Sequence, residues 1–198
     1  MAALELANQL KAKFGELLSA PTEFRGEVTL KLADAARIAE VCEFAKKSLS
    51  YDMLLDLSSI DNYGEDPRWT VVYELYGTGH GCHLRLMTDV SEEKSELPTV
   101  TTVWRGADWH ERECYDLVGV HFTDHPNLKR ILCPEDWEGH PLRKDFPTSG
   151  YVEVRYDDEQ KRVVYEPVKL TQEYRNFDFL SPWEAVSYDL PGDEKASK

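Results

Sequence analysis

The sequence predicts an α+β fold. The expected form is a two-layer domain with helices on one face of a mixed, mainly antiparallel sheet, in the order α-ββ-α-βββ-α, followed by an extended C-terminal arm. Three observations carry that prediction. Two segments before Tyr51 repeat apolar side chains at helical spacing, and the stretches between Tyr51 and Thr88 alternate at strand spacing. Beyond Pro147 both patterns weaken and prolines recur at 167, 182 and 191, which divides the chain into a domain at 1–147 and an extended arm at 148–198.

Leu6, Leu10, Phe14 and Leu17 form the stripe of a first amphipathic helix, with Lys11, Lys13 and Glu16 between them and Pro21 beyond its end. Glu27–Leu32 alternates Val28, Leu30 and Leu32, so with Pro21–Phe24 it reads as a short hairpin turning on Gly26. Asp34 is a capping residue for a second helix whose stripe is Ile38, Val41, Cys42, Ala45 and Leu49. Three successive strands follow, at 51–60, 69–76 and 82–88, joined by the turn-rich 61–67 and by Gly77-Thr-Gly-His-Gly81. Pro98 reads as an early position of a helical region reaching toward Val118, interrupted near Gly106, with Gly119 just past the helix end. Val152–Tyr156 and Arg162–Tyr165 suit a last hairpin around Asp157-Asp158.

The chain has 198 residues, enough for one sizeable core. It carries 37 acidic against 23 basic residues, a net charge of −14, which speaks against nucleic acid or an anionic lipid surface as a partner. No apolar run approaches the ~20 residues that span a bilayer, and the first residues lack the basic start and apolar centre of a signal peptide. Synthesis in the cytosol and only indirect association with a membrane are the expectation. Cys42, Cys82, Cys114 and Cys133 are widely spaced, which suits reduced thiols better than disulfides or an iron–sulfur cluster.

The most informative stretch runs from Trp109 to Pro147 (WHERECYDLVGVHFTDHPNLKRILCPEDWEGHPLRKDFP). Charges, aromatics, prolines and glycines alternate too densely for a loose loop, so this backbone is expected to be held against a surface. Its ERE-x-x-D-x-x-G, HP-x-L-x-R-I-L and G-x-PLRKDFP motifs closely resemble the 30 kDa (C) subunit family of NADH–quinone oxidoreductase, the proton-pumping respiratory complex I. The segments YVEVRYDDEQKRVVYEPVKL and YRNFDFLSPWE resemble that family's C-terminal arm. Cys114 and Val118 stand where larger or different apolar residues are common in the family, and Lys129 where Arg is frequent.

The resemblance implies a scaffold and assembly subunit of the peripheral arm. The complex passes electrons from NADH through FMN and iron–sulfur clusters to quinone, coupled to proton translocation. It implies no catalytic, cofactor-binding or metal residues in this chain. The implied partners are the quinone-pocket (49 kDa, or D) subunit and the cluster-bearing B and I subunits, at the cytoplasmic side of the bacterial inner membrane. Interface candidates are Glu111, Arg112, Glu113, Asp116, Arg143, Lys144, Phe177, Phe179 and Trp183. Rival readings are the equivalent subunit of a related membrane-bound hydrogenase or photosynthetic electron-transfer complex, or a free-standing metal-dependent hydrolase.

The residues themselves leave several chemistries to weigh. Glu113 and Asp116 share a helix face, which suits a paired acid/base, a solvated face with local ion pairs, or ionic bonding to a neighbour. His110, His121 and His125 lie near Cys114 and Cys133, but the H-E-x-x-H spacing is missing, so buried, hydrogen-bonded histidines compete with a metal site. The Gly77–Gly81 run lacks the Lys-Ser/Thr of a phosphate cradle and reads as a hairpin loop. The arm's Phe177, Phe179, Leu180 and Trp183, interleaved with charges, suit a wrap around a partner or packing back onto the domain.

Overall fold

A computed structural model describes residues 3–172 and divides the chain into two compact units, Met1–Phe146 and Pro147–Lys198. In the first unit, helix α1 (Ala3–Phe14) buries Leu6, Ala7 and Leu10, and ends where Gly15 takes a positive φ of +60°. Strands β1 (Thr22–Phe24) and β2 (Glu27–Leu32) form the expected hairpin. Its two turn residues, Arg25 and Gly26, both have positive φ, the backbone that matches the twist of a two-residue hairpin. The Asp34 carboxylate accepts a hydrogen bond from the Ala36 N–H (3.0 Å) and starts a short 3-10 turn that runs into helix α2 (Ile38–Leu49). All five expected stripe residues of that helix are buried.

Strands β3 (Met53–Asp61), β4 (Trp69–Gly77) and β5 (Cys82–Val90) join the hairpin in one sheet of order β1-β2-β5-β4-β3. Only the β2–β5 pairing in it is parallel. The register puts Val28, Leu30, Leu57, Tyr73, Leu75, Leu84 and Leu86 on one face, where they meet the stripes of both helices in a single core. The opposite face carries ion pairs, Lys31–Asp89 at 2.6 Å and Arg85 with Glu27 and Glu74, beside the buried Thr70 and Val72. One apolar face and one charged face make the domain two-layered.

The helical start at Pro98 is a correction. Pro98 instead ends strand β6 (Glu96–Pro98), which pairs in parallel with β7 (His121–Thr123) in a separate two-stranded sheet. A proline is tolerated at a strand end because it lacks only a ladder donor there. The chain then turns, with the Val103 and Trp104 N–H groups on the Val100 carbonyl, and helix α3 (Ala107–Leu117) starts after Gly106. Gly119 follows that helix as expected, with φ +88° and its N–H on the Cys114 and Tyr115 carbonyls.

The second unit, where described, is a hairpin of β8 (Val152–Asp157) and β9 (Arg162–Pro167). Its turn is fixed by Asp157, whose carboxylate accepts from the Glu159 and Gln160 N–H groups. Among the described residues no helix is long and apolar enough to cross a membrane.

Candidate functional site

Helix α3 places two carboxylates inside the protein, each bonded to a different piece of chain. Glu111 is fully buried. Its Oε1 accepts the Val100 N–H at 2.7 Å and its Oε2 hydrogen-bonds the Thr99 hydroxyl, which ties the β6 exit to the helix. The buried His125 ring brings Nε2 to 3.8 Å from Glu111 Oε2 and 3.1 Å from Asp108 Oδ1. Burial pushes the Glu111 carboxyl up to about 7, against the hydrogen bonds from Thr99 and Val100, with Asp108 adding repulsion.

Asp116 is also fully buried but the balance is opposite. Its Oδ2 accepts the N–H groups of Ile131, Leu132 and Cys133 at 2.7–2.9 Å, and Oδ1 takes the Arg130 guanidinium at 2.7 Å. Burial works against ionisation, yet these three N–H groups and Arg130 outweigh it and hold the carboxyl well below its ordinary range. Arg130 also donates to the carbonyls of Asp116 and Gly139. The loop from 130 to 140 is thereby closed around one side chain.

The next residues are latched just as closely. The Leu142 N–H binds the Leu117 carbonyl at 3.0 Å, and the His140 Nδ1 lies 2.9 Å from the Asp116 carbonyl. Arg143 donates from Nε to the Val118 carbonyl at 2.6 Å, and its guanidinium lies 4.9 Å from the Trp69 ring centre. A Cβ on Gly119 would sit 2.4 Å from Arg143 Nη2 and 2.7 Å from His140 Nε2, so this position needs glycine for space as well as for φ. The Lys144 N–H binds Asp61 Oδ2, and Asp145 binds Arg68 at 2.9 Å.

Arg68 is the centre of that last contact. It is 5% exposed, pairs twice with the buried Asp61 (2.8 and 3.0 Å) and once with Glu92 (2.7 Å), and lies 4.3 Å from the Trp69 ring centre. The Arg68 hydrogen bonds hold the Asp61 carboxyl below its ordinary range against the effect of burial.

The nine expected interface residues therefore separate. Glu111 and Asp116 lie inside the chain, satisfied by its own groups, and Arg143 is partly buried on Trp69. Arg112 donates to the Lys129 and Arg130 carbonyls and stacks 5.2 Å from the Trp109 ring centre. Glu113 and Lys144 have exposed side chains. Phe177, Phe179 and Trp183 lie outside the described residues. His110 pairs with Asp56 at 3.3 Å, His121 is exposed against Tyr115, and His125 is buried, so the three histidines do not converge. Among the described residues no group of three or more His, Cys, Asp or Glu is arranged to hold a metal ion. Gly77–Gly81 is a hairpin loop, closed by the Gly81 N–H on the Gly77 carbonyl.

Arg68 and Asp61 were missed by sequence reasoning. Nothing local marks them, since Asp61 ends β3 and Arg68 directly precedes β4 amid turn residues. Arg130 and Asp145 did stand within the quoted motifs, as the R of HP-x-L-x-R and the D of PLRKD.

The result is a helix and a latched loop that together leave apolar residues exposed. Trp109, Leu132, Trp137 and Leu142 are 41–64% exposed, and Trp137 stacks on Phe146. The charged groups that latch this region, Glu111, Asp116, Arg130 and Arg143, bind backbone and one another. Such an arrangement suits a protein that presents surface to other proteins.

The comparisons agree with that class and narrow it. The family described as "Respiratory-chain NADH dehydrogenase, 30 Kd subunit" matches residues 32–152. The C subunit of the NADH-quinone oxidoreductase of Xanthobacter autotrophicus is 47% identical over 195 residues, 98% of this chain and 92% of its own. That of Rhodopseudomonas palustris is 46% identical over 98% of both chains. Among solved structures, the trypsin-resistant fragment (1-134) of Nqo5 superposes with a TM-score of 0.54 at 31% identity, over 65% of this chain and all of the fragment. A chain of an archaeal respiratory membrane complex, the membrane-bound sulfane sulfur reductase, shares the fold, with a TM-score of 0.66 at 22% identity over 81% of this chain and 98% of its own. The chain belongs to the 30 kDa subunit family of respiratory-chain NADH dehydrogenase.

Proposed function

We propose that this chain is a scaffold and assembly subunit of the peripheral arm of an NADH–quinone oxidoreductase and takes no direct part in electron transfer. The observation that carries this reading is the latched loop. Glu111, Asp116 and Arg68 are used to hold the segment from Thr99 to Asp145 rigid, while Trp109, Leu132, Trp137 and Leu142 face outward from it. A preorganised apolar surface of this kind loses little entropy when a neighbour covers it. FMN, iron–sulfur clusters and quinone belong to other subunits on this reading, and no cofactor is bound here.

The interface roles divide by position. Glu113, Lys144 and Arg112 touch neighbouring subunits directly, whereas Glu111, Asp116 and Arg143 act by shaping the surface. Phe177, Phe179 and Trp183 of the arm add aromatic anchors to the quinone-pocket subunit, with the cluster-bearing B and I subunits beside it. The complex then holds the chain at the cytoplasmic face of the inner membrane. A resistant Nqo5 fragment that covers only 65% of this chain fits a core stable alone and an arm that needs a partner. The metal-dependent hydrolase reading gains nothing from carboxylates that are buried and engaged.

The test is purification of the tagged chain from its native membranes, with an absorbance spectrum and an NADH–quinone assay on the isolated chain. The expected result is co-purification of respiratory subunits, together with a colourless, inactive free chain. A stoichiometric flavin or cluster in the pure chain would overturn the non-catalytic role.

A further inference from the structure

Glu111 is buried without Lys or Arg bonded to it among the described residues. From the β6 exit, the Val100 N–H takes Oε1 and the Thr99 hydroxyl meets Oε2. From the turn after β7 comes His125. Its Nδ1 accepts the Asn127 N–H at 3.0 Å, so the ring carries its proton on Nε2, the nitrogen that faces Asp108 and Glu111. Asp108 and Cys114 of helix α3, Cys42 of α2 and Tyr73 of β4 complete the charged and titratable surroundings. All of these are neutral or acidic, so only the Val100 and Thr99 hydrogen bonds offset the water that an ionised Glu111 has lost. A carboxyl raised to about 7 by burial exists in both forms near neutrality.

The hydroxyls beside Glu111 fit either form. Thr99 Oγ1 meets Glu111 Oε2, lies 2.9 Å from Thr101 Oγ1, and accepts the Thr101 N–H at 3.2 Å. Thr99 has a single hydroxyl hydrogen and cannot give it to both neighbours. When Glu111 is ionised, Thr101 donates to Thr99 and Thr99 donates to Oε2. When Glu111 is protonated, Oε1 is already taken by the Val100 N–H, so the acid proton sits on Oε2 and points at Thr99. Thr99 then donates to Thr101. Thr101 is partly exposed while Glu111 is fully buried, so the three groups run from the interior to solvent.

We propose that Glu111 is an internal proton-binding site, filled and emptied through the Thr99 and Thr101 hydroxyls, and that its bound proton keeps β6 and β7 firmly on helix α3. On release, the Oε2 proton passes to Thr99, the Thr99 hydroxyl proton passes to Thr101, and the Thr101 proton goes to water. Both hydroxyls end reversed, and uptake runs the same steps backward. The carboxylate left behind is buried beside Asp108 and leans on Thr99, whose N–H also binds the Thr123 carbonyl of β7 at 3.0 Å. Loss of the proton is thereby felt in the pairing of the two strands. This site is independent of the assembly role.

The full-length chain is titrated between roughly pH 5 and 9 while difference infrared spectroscopy follows the carbonyl stretch of protonated carboxyls. Glu111→Gln, which mimics the protonated acid, assigns the band. The expected wild-type midpoint is about 7. Thr101→Val removes the acceptor that the protonated form needs and leaves the ionised form its bond from Thr99. Its midpoint should therefore fall by at least about 0.3 unit, and the band's shift on transfer to heavy water should slow at least about tenfold. Thr101→Ser should behave as wild type. Above the midpoint, the Thr99 and His121 amides should exchange at least about tenfold faster than the intrinsic rise with pH explains, and Glu111→Gln should abolish that excess. A band that does not titrate overturns the proposal, as does a smaller fall or a rise in the Thr101→Val midpoint. Unslowed heavy-water exchange in that variant, or amides indifferent to Glu111, overturns it equally. Should circular dichroism show Thr101→Val unfolded, the wild-type titration and the amide comparison with Glu111→Gln still decide it.

Discussion

Replacing Asp116 with alanine tests whether one buried carboxylate closes the loop over helix α3. The substitution removes the acceptor for the Ile131, Leu132 and Cys133 N–H groups and the partner of Arg130. Breaking a buried ion pair by deleting one member costs ~3–5 kcal/mol. The loop residues are only partly buried, so water recovers some of the freed N–H groups and the lower part of that range applies. We expect Asp116→Ala to lower stability by about 3 kcal/mol, or Tm by ~6–12 °C for a domain of this size. Hydrogen exchange at residues 130–140 should rise in the same variant, because the loss is local. The pH dependence has a definite sign. The folded carboxyl ionises more easily than the unfolded one, so its stabilisation is present above the ordinary value near ~3.9 and is lost as pH falls below it. Wild type and variant should therefore converge in stability on acidification below about pH 4. Urea denaturation at pH 7 and at pH 3 measures both effects. A loss under ~1 kcal/mol at pH 7, the size of an exposed ion pair, would refute the closure role.

Glu111 carries the opposite sign. Its carboxyl is raised to about 7 in the folded chain, so its favourable share is complete below the ordinary value and fades as pH rises through 7. Glu111→Gln, whose amide serves both Val100 and Thr99, should flatten the stability profile between roughly pH 4.5 and 7 by up to about 3 kcal/mol. An unchanged profile in urea titrations would rule out a shifted Glu111. Gly119→Ala meets Arg143 and His140 at a positive φ and should cost about 2–3 kcal/mol, read as a lowered Tm; a neutral result would mean the 140–143 segment is not seated there. Arg68→Leu strands the buried Asp61 and should cost ~3–5 kcal/mol, with Asp61→Asn in the same chain restoring part of it. Deleting residues 174–198 should leave circular dichroism and Tm of the domain close to wild type while abolishing stable assembly. Trp183→Ala should show part of that defect in co-purification, since aromatic anchors dominate such contacts.

Local signals determined the helix around Leu6, Leu10 and Phe14 (Leu17 falls beyond it, past the positive φ of Gly15), the helix at Ile38–Leu49, the hairpin at Gly26, the three central strands and the turn at Gly119. Each rests on neighbours in sequence: a stripe at helical spacing, an alternation, a cap or a glycine. The family was legible too, because the motifs between Trp109 and Pro147 hold residue types at fixed spacing. Tertiary structure alone decided how those motifs work. Pro98 lies in a strand because β7, distant in sequence, pairs beside it. Glu113 and Asp116 differ in burial, although their spacing allowed a shared face, because residues 130–133 cover only Asp116. Asp61 and Arg68 meet Asp145 and Lys144 only once the loop has folded back across the end of β3 and β4. A pattern in sequence reports what a backbone prefers locally, whereas the fate of a charge depends on which distant groups reach it, and those are set by packing.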